Sequence, residues 1–188
     1  MSLTPERLSI WWSFIRSSPI TNMFYPFILY LHKPKTKNLY FFITYIIVFI
    51  TNGLEKELFK SLYELLDVDT LPLIGKGERP EGATNCGTYL VYPDKPATSY
   101  GMPSGHSEIN WYFITYIILD ILYTSNYKNI NISDLSINIT ILLSYAIVNS
   151  YSRVNIEGCH TTGQVVVGGI LGIIKAVLLY SLGRLIFS

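Results

Sequence analysis

Three short polar segments hold the residues of this chain that could do chemistry. They are the tripeptide Glu78-Arg79-Pro80, residues 100–107 (Tyr-Gly-Met-Pro-Ser-Gly-His-Ser) and residues 152–160. Between them they supply two histidines, two arginines, a hydroxyl group and a glycine N–H at a predicted helix start: His106, His160, Arg79, Arg153, Ser104 and Gly105.

This set of residue types suits a phosphoryl group. Arg79 and Arg153 can bind phosphate oxygens through planar, charge-assisted hydrogen bonds. The Ser104 hydroxyl and the Gly105 N–H add neutral donors where a helix begins. One histidine could attack phosphorus while the other protonates the leaving oxygen. The pattern therefore indicates phosphoryl chemistry that needs neither a metal ion nor a cofactor.

The composition indicates that a membrane positions these residues. The chain is 49% hydrophobic and 14% charged, with a net charge of +1, which disfavours a nucleic-acid partner. Four apolar runs predict membrane helices, at 39–50 with an amphipathic extension to 66, at 107–124, at 135–151 and at 165–187. Residues 67–103 are rich in proline and glycine, which predicts a long functional loop. We expect an all-α, polytopic membrane helical bundle with a long catalytic loop.

Counting membrane crossings tests whether the three polar segments share a face. Two predicted helices and a hairpin at 125–133 separate His106 from Arg153, so the chain crosses the membrane and returns. The first segment joins the second without a crossing. All three segments are therefore expected on one membrane face.

At these residues the chain resembles the type 2 phosphatidic acid phosphatase superfamily. The family signature runs Lys-x6-Arg-Pro, Pro-Ser-Gly-His and Ser-Arg-x5-His-x3-Asp. Here the last two motifs read Pro103-Ser104-Gly105-His106 and Ser152-Arg153-x6-His160, with one residue more before the final histidine. The resemblance is closer to the dolichyl diphosphatase branch, which shares a Tyr-Gly-Met-Pro-Ser segment and a His-Thr-x-x-Gln-Val segment. It covers roughly residues 52–179.

The resemblance implies a role for each site residue. His160 would form a phosphohistidine and His106 would serve the leaving group, while Arg79, Ser104, Gly105 and Arg153 would hold the phosphate. The implied substrate is a polyprenyl diphosphate. A phosphatidate or general lipid phosphate phosphatase is the rival within the same class. Vanadate haloperoxidases share the histidines, but their soluble character conflicts with the apolar runs.

Two departures from the family pattern motivate a third hypothesis, a catalytically inactive protein that binds lipid phosphates. Gln164 stands where most of the family has aspartate, so it can orient the imidazole of His160 but cannot stabilise its positive charge. The position seven before Arg79 is Pro72 instead of lysine. Because the family lysine lies on the helix before the loop, we favour Lys60, and the alternatives are Lys56 and Lys76.

The N-terminal part is divided from the rest at residue 38. Residues 5–16 predict an amphipathic interfacial helix and residues 20–31 a short apolar helix interrupted by Pro26. Because Trp11, Trp12 and Arg16 interrupt any signal-peptide core, we expect the segment to stay in the mature protein. The expected organisation is N-terminal interfacial or membrane helices at 1–38, followed by a membrane-embedded phosphatase domain at 39–188.

Four further expectations concern charges and cysteines. Cys86 and Cys159 are expected to stay unpaired, and Lys175 and Asp120 to lie at the membrane interface, Lys175 by snorkelling. The positive-inside rule predicts a lumenal or exterior site, because five basic residues fall on the opposite face: Lys33, Lys35, Lys37, Lys128 and Arg184.

Overall fold

The computed structural model describes residues 12–87, 96–124 and 132–187. Most of the predicted interfacial helix at 5–16, and the predicted hairpin with Lys128, lie outside the described residues. Helical structure begins at residue 12, and five longer helices follow: α1 (Ser18–His32), α2 (Thr36–Leu65), α3 (Gly105–Thr124), α4 (Ile132–Tyr151) and α5 (Thr162–Phe187). The π-helical segment Ser152–Ile156 extends α4.

The loop between α2 and α3 contains a small hairpin. Strand β1 (Thr70–Leu71) pairs antiparallel with β2 (Gly75–Lys76). The predicted all-α polytopic bundle with a long loop is confirmed.

Among the described residues, three helical segments are long and apolar enough to cross a membrane: Thr36–Leu65, Ile132–Ile156 and Thr162–Phe187. The predicted helix at 107–124 corresponds to α3, which does not meet this criterion. Its first turns carry Ser107, Glu108 and Asn110, all fully buried in the protein. Their polarity lowers the hydropathy of α3 and serves contacts inside the bundle.

The close approach of α3 and α5 brings two of the polar segments together. A β-carbon on Gly168 or Gly172 of α5 would overlap the carbonyl oxygens of Ser104 and Glu108, respectively. Small residues at this spacing allow backbones to approach closely. The N–H of Ser104 consequently donates to the carbonyl of Gln164 over 3.0 Å, which joins the start of α3 to the start of α5.

A buried polar network attaches α1 to the bundle. The amide of Asn110 on α3 accepts from Asn22 over 2.7 Å and donates to Ser18 over 2.9 Å, while Asn149 on α4 donates to Ser18 over 2.7 Å. Buried amides are costly unless hydrogen-bonded, so these contacts specify where α1 docks. The domain boundary at residue 38 stays a prediction.

The expectation that Lys175 snorkels to the interface is wrong. Its ammonium binds the carboxylates of Glu108 on α3 and Glu55 on α2, and Glu108 is fully buried. Lys175 therefore stays inside the bundle, because its positive charge offsets the cost of burying the carboxylates that it contacts. Asp120 differs, since its half-exposed carboxylate lies 3.8 Å from Lys37 near the end of α3.

Candidate active site

A cavity of about 220 Å³ contains side chains from all three polar segments. Its walls come from α2, the start of α3, the long loop and the turn before α5, and they include Asn52, Lys56, Arg79, Gly105, His106 and His160. The predicted convergence on one side of the bundle is therefore present in the structure.

The orientation of Gln164 determines which ring nitrogen of His160 carries the hydrogen. The amide nitrogen of Gln164 donates to the carbonyls of Lys76, Gly77 and Glu78 over 3.0, 3.3 and 2.6 Å. Its oxygen must then face Nδ1 of His160, 3.0 Å away. Because that oxygen only accepts, Nδ1 carries the ring hydrogen.

The other ring nitrogen of His160 faces a cation. Nη1 of Arg79 lies 3.3 Å from Nε2 of His160 and donates toward its lone pair. Burial, followed by the positive charges of Arg79 and Lys56, holds the pKa of His160 well below its ordinary value. A neutral imidazole with its Nε2 lone pair available can act as a nucleophile.

Four further contacts hold the guanidinium of Arg79. It donates to the carbonyl and the hydroxyl of Ser99 and to the carbonyl of Cys159, each over 2.9 Å, and its Nη1 lies 3.8 Å from Sγ of Cys86. These bonds link the first polar segment to the turn beside His160.

Arg153 is fully buried and paired with a carboxylate. Its Nη2 donates to Glu157 over 2.9 Å and its Nη1 to the carbonyl of Cys86 over 2.9 Å. Arg16, before α1, also contacts Glu157, with 3.3 Å between Nε and Oε1. Within the described residues, Nε of Arg153 has no hydrogen-bond partner.

His106 is held by the segment that precedes α1. Its Nε2 lies 2.9 Å from the carbonyl oxygen of Arg16. A carbonyl can only accept, so Nε2 carries a hydrogen. The backbone and the side chain of Arg16 therefore contact two different polar segments.

The turn that opens α3 also contains an available donor. Ser104 is fully buried, and its hydroxyl has no hydrogen-bond partner in the part of the chain that the structure describes. At Gly105, a β-carbon would overlap the side-chain amide of Asn52. A larger residue there would require the side chain of Asn52 on α2 to shift.

The structure does not bring Lys60 to the cavity, contrary to the preferred assignment. The Lys60 ammonium is half-exposed and lies 3.8 Å from Glu64, one turn further along α2. Lys56 lines the cavity instead, and its ammonium donates to the carbonyl of Tyr100 over 2.6 Å. The two lysines share a face of α2 but lie one helical turn apart along its axis, so Lys56 is level with the cavity and Lys60 lies beyond it.

The expectation that Cys86 and Cys159 stay unpaired is also wrong, since a disulfide joins them. Both are buried, and the sulfurs lie close to His160. The disulfide occupies both sulfurs, so neither cysteine offers a thiolate ligand to a metal ion.

The extra residue before His160 is accommodated by the π-helical segment Ser152–Ile156. The N–H of Glu157 donates to the carbonyl of Ser152, five residues earlier, over 2.9 Å. A π-turn accommodates one more residue than an α-turn. His160 consequently remains in the turn before α5, despite the longer spacing.

Sequence reasoning missed Arg16 and Glu157. Glu157 could have been found as the one charged residue between Arg153 and His160. Arg16 had no such signal, because it lies outside the stretch that resembles the family.

The fold and the site identify the class of protein. The sequence pattern of the PAP2 superfamily matches residues 58–186. The chain belongs to this superfamily and is a multi-pass membrane protein.

Known relatives agree with this assignment. Dolichyldiphosphatase 1 of Callithrix jacchus is 40% identical over 85 residues, and that of Homo sapiens is 39% identical over 85 residues. Each match covers 43% of this chain and 35% of the relative, so the chain spans about a third of the length of these relatives.

A solved structure supports the fold over nearly the whole chain. It is the crystal structure of a transmembrane PAP2 type phosphatidylglycerolphosphate phosphatase from Bacillus subtilis, with a TM-score of 0.59 and 20% sequence identity. The similarity covers 98% of this chain and 80% of that one.

Proposed function

We propose that this protein is a membrane lipid phosphatase that removes the terminal phosphate of a polyprenyl diphosphate through a phosphohistidine at His160. The observation that carries the proposal is the Nε2 atom of His160, which is unprotonated and lies 3.3 Å from Nη1 of Arg79. A nucleophile beside a guanidinium is what attack on an anionic phosphoryl group requires.

The reaction has two steps. Nε2 of His160 attacks the terminal phosphorus, and the bond from phosphorus to the bridging oxygen breaks. Burial and the charge of Arg153 hold the pKa of His106 well below its ordinary value, and the negative charges of a bound diphosphate would raise it so that the imidazolium forms. Nδ1 of that imidazolium then gives its proton to the bridging oxygen, because Nε2–H is held by the carbonyl of Arg16, and a lipid monophosphate leaves. Water then attacks the phosphohistidine while neutral His106 takes its proton, which releases inorganic phosphate and restores both histidines.

The phosphate-binding groups would be Arg79, Arg153, Ser104 and Gly105. Among the residues that the structure describes, Nε of Arg153 and the hydroxyl of Ser104 have no hydrogen-bond partner, and this supports the role because buried donors without partners are costly. Lys56 would add a third cation from α2. No step in this scheme needs a metal ion or a cofactor.

The choice of a polyprenyl diphosphate rests on the relatives named Dolichyldiphosphatase 1 and on Gln164, the residue that the resemblance associates with that branch. Phosphatidate remains the alternative substrate, because the same groups would bind its phosphate. An inactive lipid-phosphate binder is the alternative outside enzymes.

We further propose that the site opens to the lumen or the exterior. Four basic residues lie within the terminal turns at the opposite ends of the helices that position the site, or just outside those ends: Lys33, Lys35, Lys37 and Arg184. The Cys86–Cys159 disulfide beside the cavity supports this orientation, since disulfides persist in oxidising compartments.

Phosphate release by purified protein in detergent tests the proposal. Wild type should hydrolyse a polyprenyl diphosphate faster than phosphatidate, and EDTA should leave the rate unchanged. His160→Ala should lose several orders of magnitude in kcat because the nucleophile is gone. His32→Ala is the matched control, since His32 is exposed and distant in sequence from every motif.

A substrate with an activated leaving group separates the two histidine roles. With p-nitrophenyl phosphate, whose leaving group needs little protonation, His106→Ala should lose much less activity than with the lipid substrate, and His160→Ala should lose as much. Wild-type rates equal to those of His160→Ala on every lipid phosphate would support the inactive binder instead.

A further inference from the structure

The disulfide connects the two backbone carbonyls that hold the site arginines. The carbonyl of Cys86 accepts from Nη1 of Arg153, and the carbonyl of Cys159 accepts from Nη1 of Arg79, both over 2.9 Å. Each arginine thus binds the cysteine that lies on the other arginine's segment. The sulfur–sulfur bond closes this crossed arrangement.

The segment around Cys86 has little other support among the described residues. Residues 85–87 belong to no helix or strand, and the nearest regular contact is an isolated bridge between Thr84 and Pro96. By contrast, Cys159 is anchored through its N–H to the carbonyl of Arg153 over 3.1 Å. The disulfide therefore fixes a loosely held carbonyl to a firmly held turn.

We propose that the Cys86–Cys159 disulfide is a positioning element that holds both guanidiniums ready for phosphate. This inference rests on the proposed function and adds to it that the oxidised protein is the competent form. Without the bond, the carbonyl of Cys86 moves away and Arg153, fully buried, loses one of its two acceptors. Arg79 also loses support, because the Sγ atom of Cys86, 3.8 Å from its Nη1, moves with that segment.

The clamp is the Cys86–Cys159 disulfide together with the two cysteine carbonyls that hold the arginines. Orthovanadate, a phosphate mimic, tests its role by direct binding to the detergent-solubilised protein. The double variant Cys86→Ser/Cys159→Ser should bind vanadate about tenfold or more weakly than wild type, the size expected for misplaced hydrogen bonds to a charged group. Wild type treated with dithiothreitol, which is oxidised as the two cysteines become thiols, should also bind more weakly. The reagent is removed before vanadate is added, because dithiothreitol itself reduces vanadate. The same treatment should have no effect on the double variant.

A double-mutant cycle distinguishes positioning from mere stabilisation. Because the clamp acts through the guanidiniums, the loss on removing the disulfide should be smaller in an Arg79→Lys background than in wild type. A disulfide that only stabilises the fold would give equal losses in both backgrounds, and this outcome overturns the inference. A Cys86→Ser/Cys159→Ser variant with wild-type vanadate affinity would also overturn the inference.

The same measurements separate this inference from the proposed function. If vanadate affinity depends on the disulfide but wild type releases phosphate from no lipid, the clamp stands and the enzymatic proposal fails. If wild type hydrolyses lipid diphosphate and the cycle is additive, only the clamp fails. If wild type binds no vanadate, both fail.

Discussion

The Nδ1 atom of His160 lies 3.0 Å from Oε1 of Gln164, and this contact leaves Nε2 as the ring nitrogen with an available lone pair. Most of the superfamily that the motifs resemble has aspartate at this position. Here the amide also donates to the backbone carbonyls of Lys76, Gly77 and Glu78, which an ionised carboxylate could not do. The glutamine therefore does two things: it orients the imidazole of His160 and it anchors the first polar segment.

Changing Gln164 to aspartate should reduce activity, even though it restores the family residue. The carboxylate would be buried against three carbonyl oxygens, and those carbonyls would lose their donor. We expect kcat to fall about tenfold to a hundredfold, the equivalent of one or two lost hydrogen bonds. Steady-state kinetics on the lipid diphosphate measures this, and a Gln164→Asp variant as fast as wild type would contradict the role given to the amide.

The two lysines of α2 should differ sharply. Lys56→Met removes a cation from the cavity, so kcat/KM should fall about tenfold to a hundredfold. Lys60→Met, one turn away, should stay close to wild type because its ammonium is half-exposed and paired with Glu64. Kinetics on the two purified variants decides between the positions, and the reverse order of effects would restore the assignment made from sequence.

The imidazole ring of His160 should stay neutral in mildly acid solution. Its pKa is lowered by burial and by Arg79 and Lys56, so the neutral, attacking form is present above a pKa that lies below the ordinary 6.5. The acid limb of kcat/KM should therefore fall below pH 6.5.

Nuclear magnetic resonance of ring nitrogens offers a check that is independent of substrate ionisation. The His160 signals, assigned by their loss in His160→Asn, should report a neutral ring with the hydrogen on Nδ1 at pH 6.5. A ring that is half protonated at that pH would contradict the electrostatic argument.

Removing Lys175 should destabilise the bundle. Lys175→Met leaves the fully buried Glu108 without its cation, which costs about 3–5 kcal/mol in the free energy of unfolding. Adding Glu108→Gln should recover part of that loss, because the unpaired charge is then gone. Lys37→Met is the control, since its exposed pair with Asp120 should contribute about 0–1 kcal/mol.

Unfolding in mixed micelles, followed by the near-ultraviolet signal of the buried tyrosines, would measure these free energies. Equal losses for Lys175→Met and Lys37→Met would mean that the internal charge cluster contributes no more than a surface pair.

Much of the site follows from local sequence. The motif residues His106, His160 and Arg79 line one cavity on the side that counting of helices predicted. Arg153 does not line it but is fully buried behind it, where it donates to the carbonyl of Cys86. That prediction needs only the number of apolar runs, and a run long enough to span a bilayer is visible in composition alone. The length of α2, from Thr36 to Leu65, likewise agrees with the predicted apolar run and its amphipathic extension.

The errors share a different cause. Lys175 and the two cysteines were judged from their neighbours in sequence, but their partners lie far along the chain. Lys175 pairs with Glu55, 120 residues away, and Cys86 with Cys159, 73 residues away. Arg16 reaches His106 across 90 residues from a segment with no motif at all.

The sequence by itself therefore determined the class of fold, the residue types of the site and the side of the bundle on which they meet, because bilayer thickness and motif chemistry act on local stretches of chain. Only the tertiary structure decided which lysine enters the cavity, that the cysteines pair and which nitrogen of His160 is free. Those outcomes depend on distances of a few ångströms between distant segments, which are set by how closely α2, α3 and α5 pack.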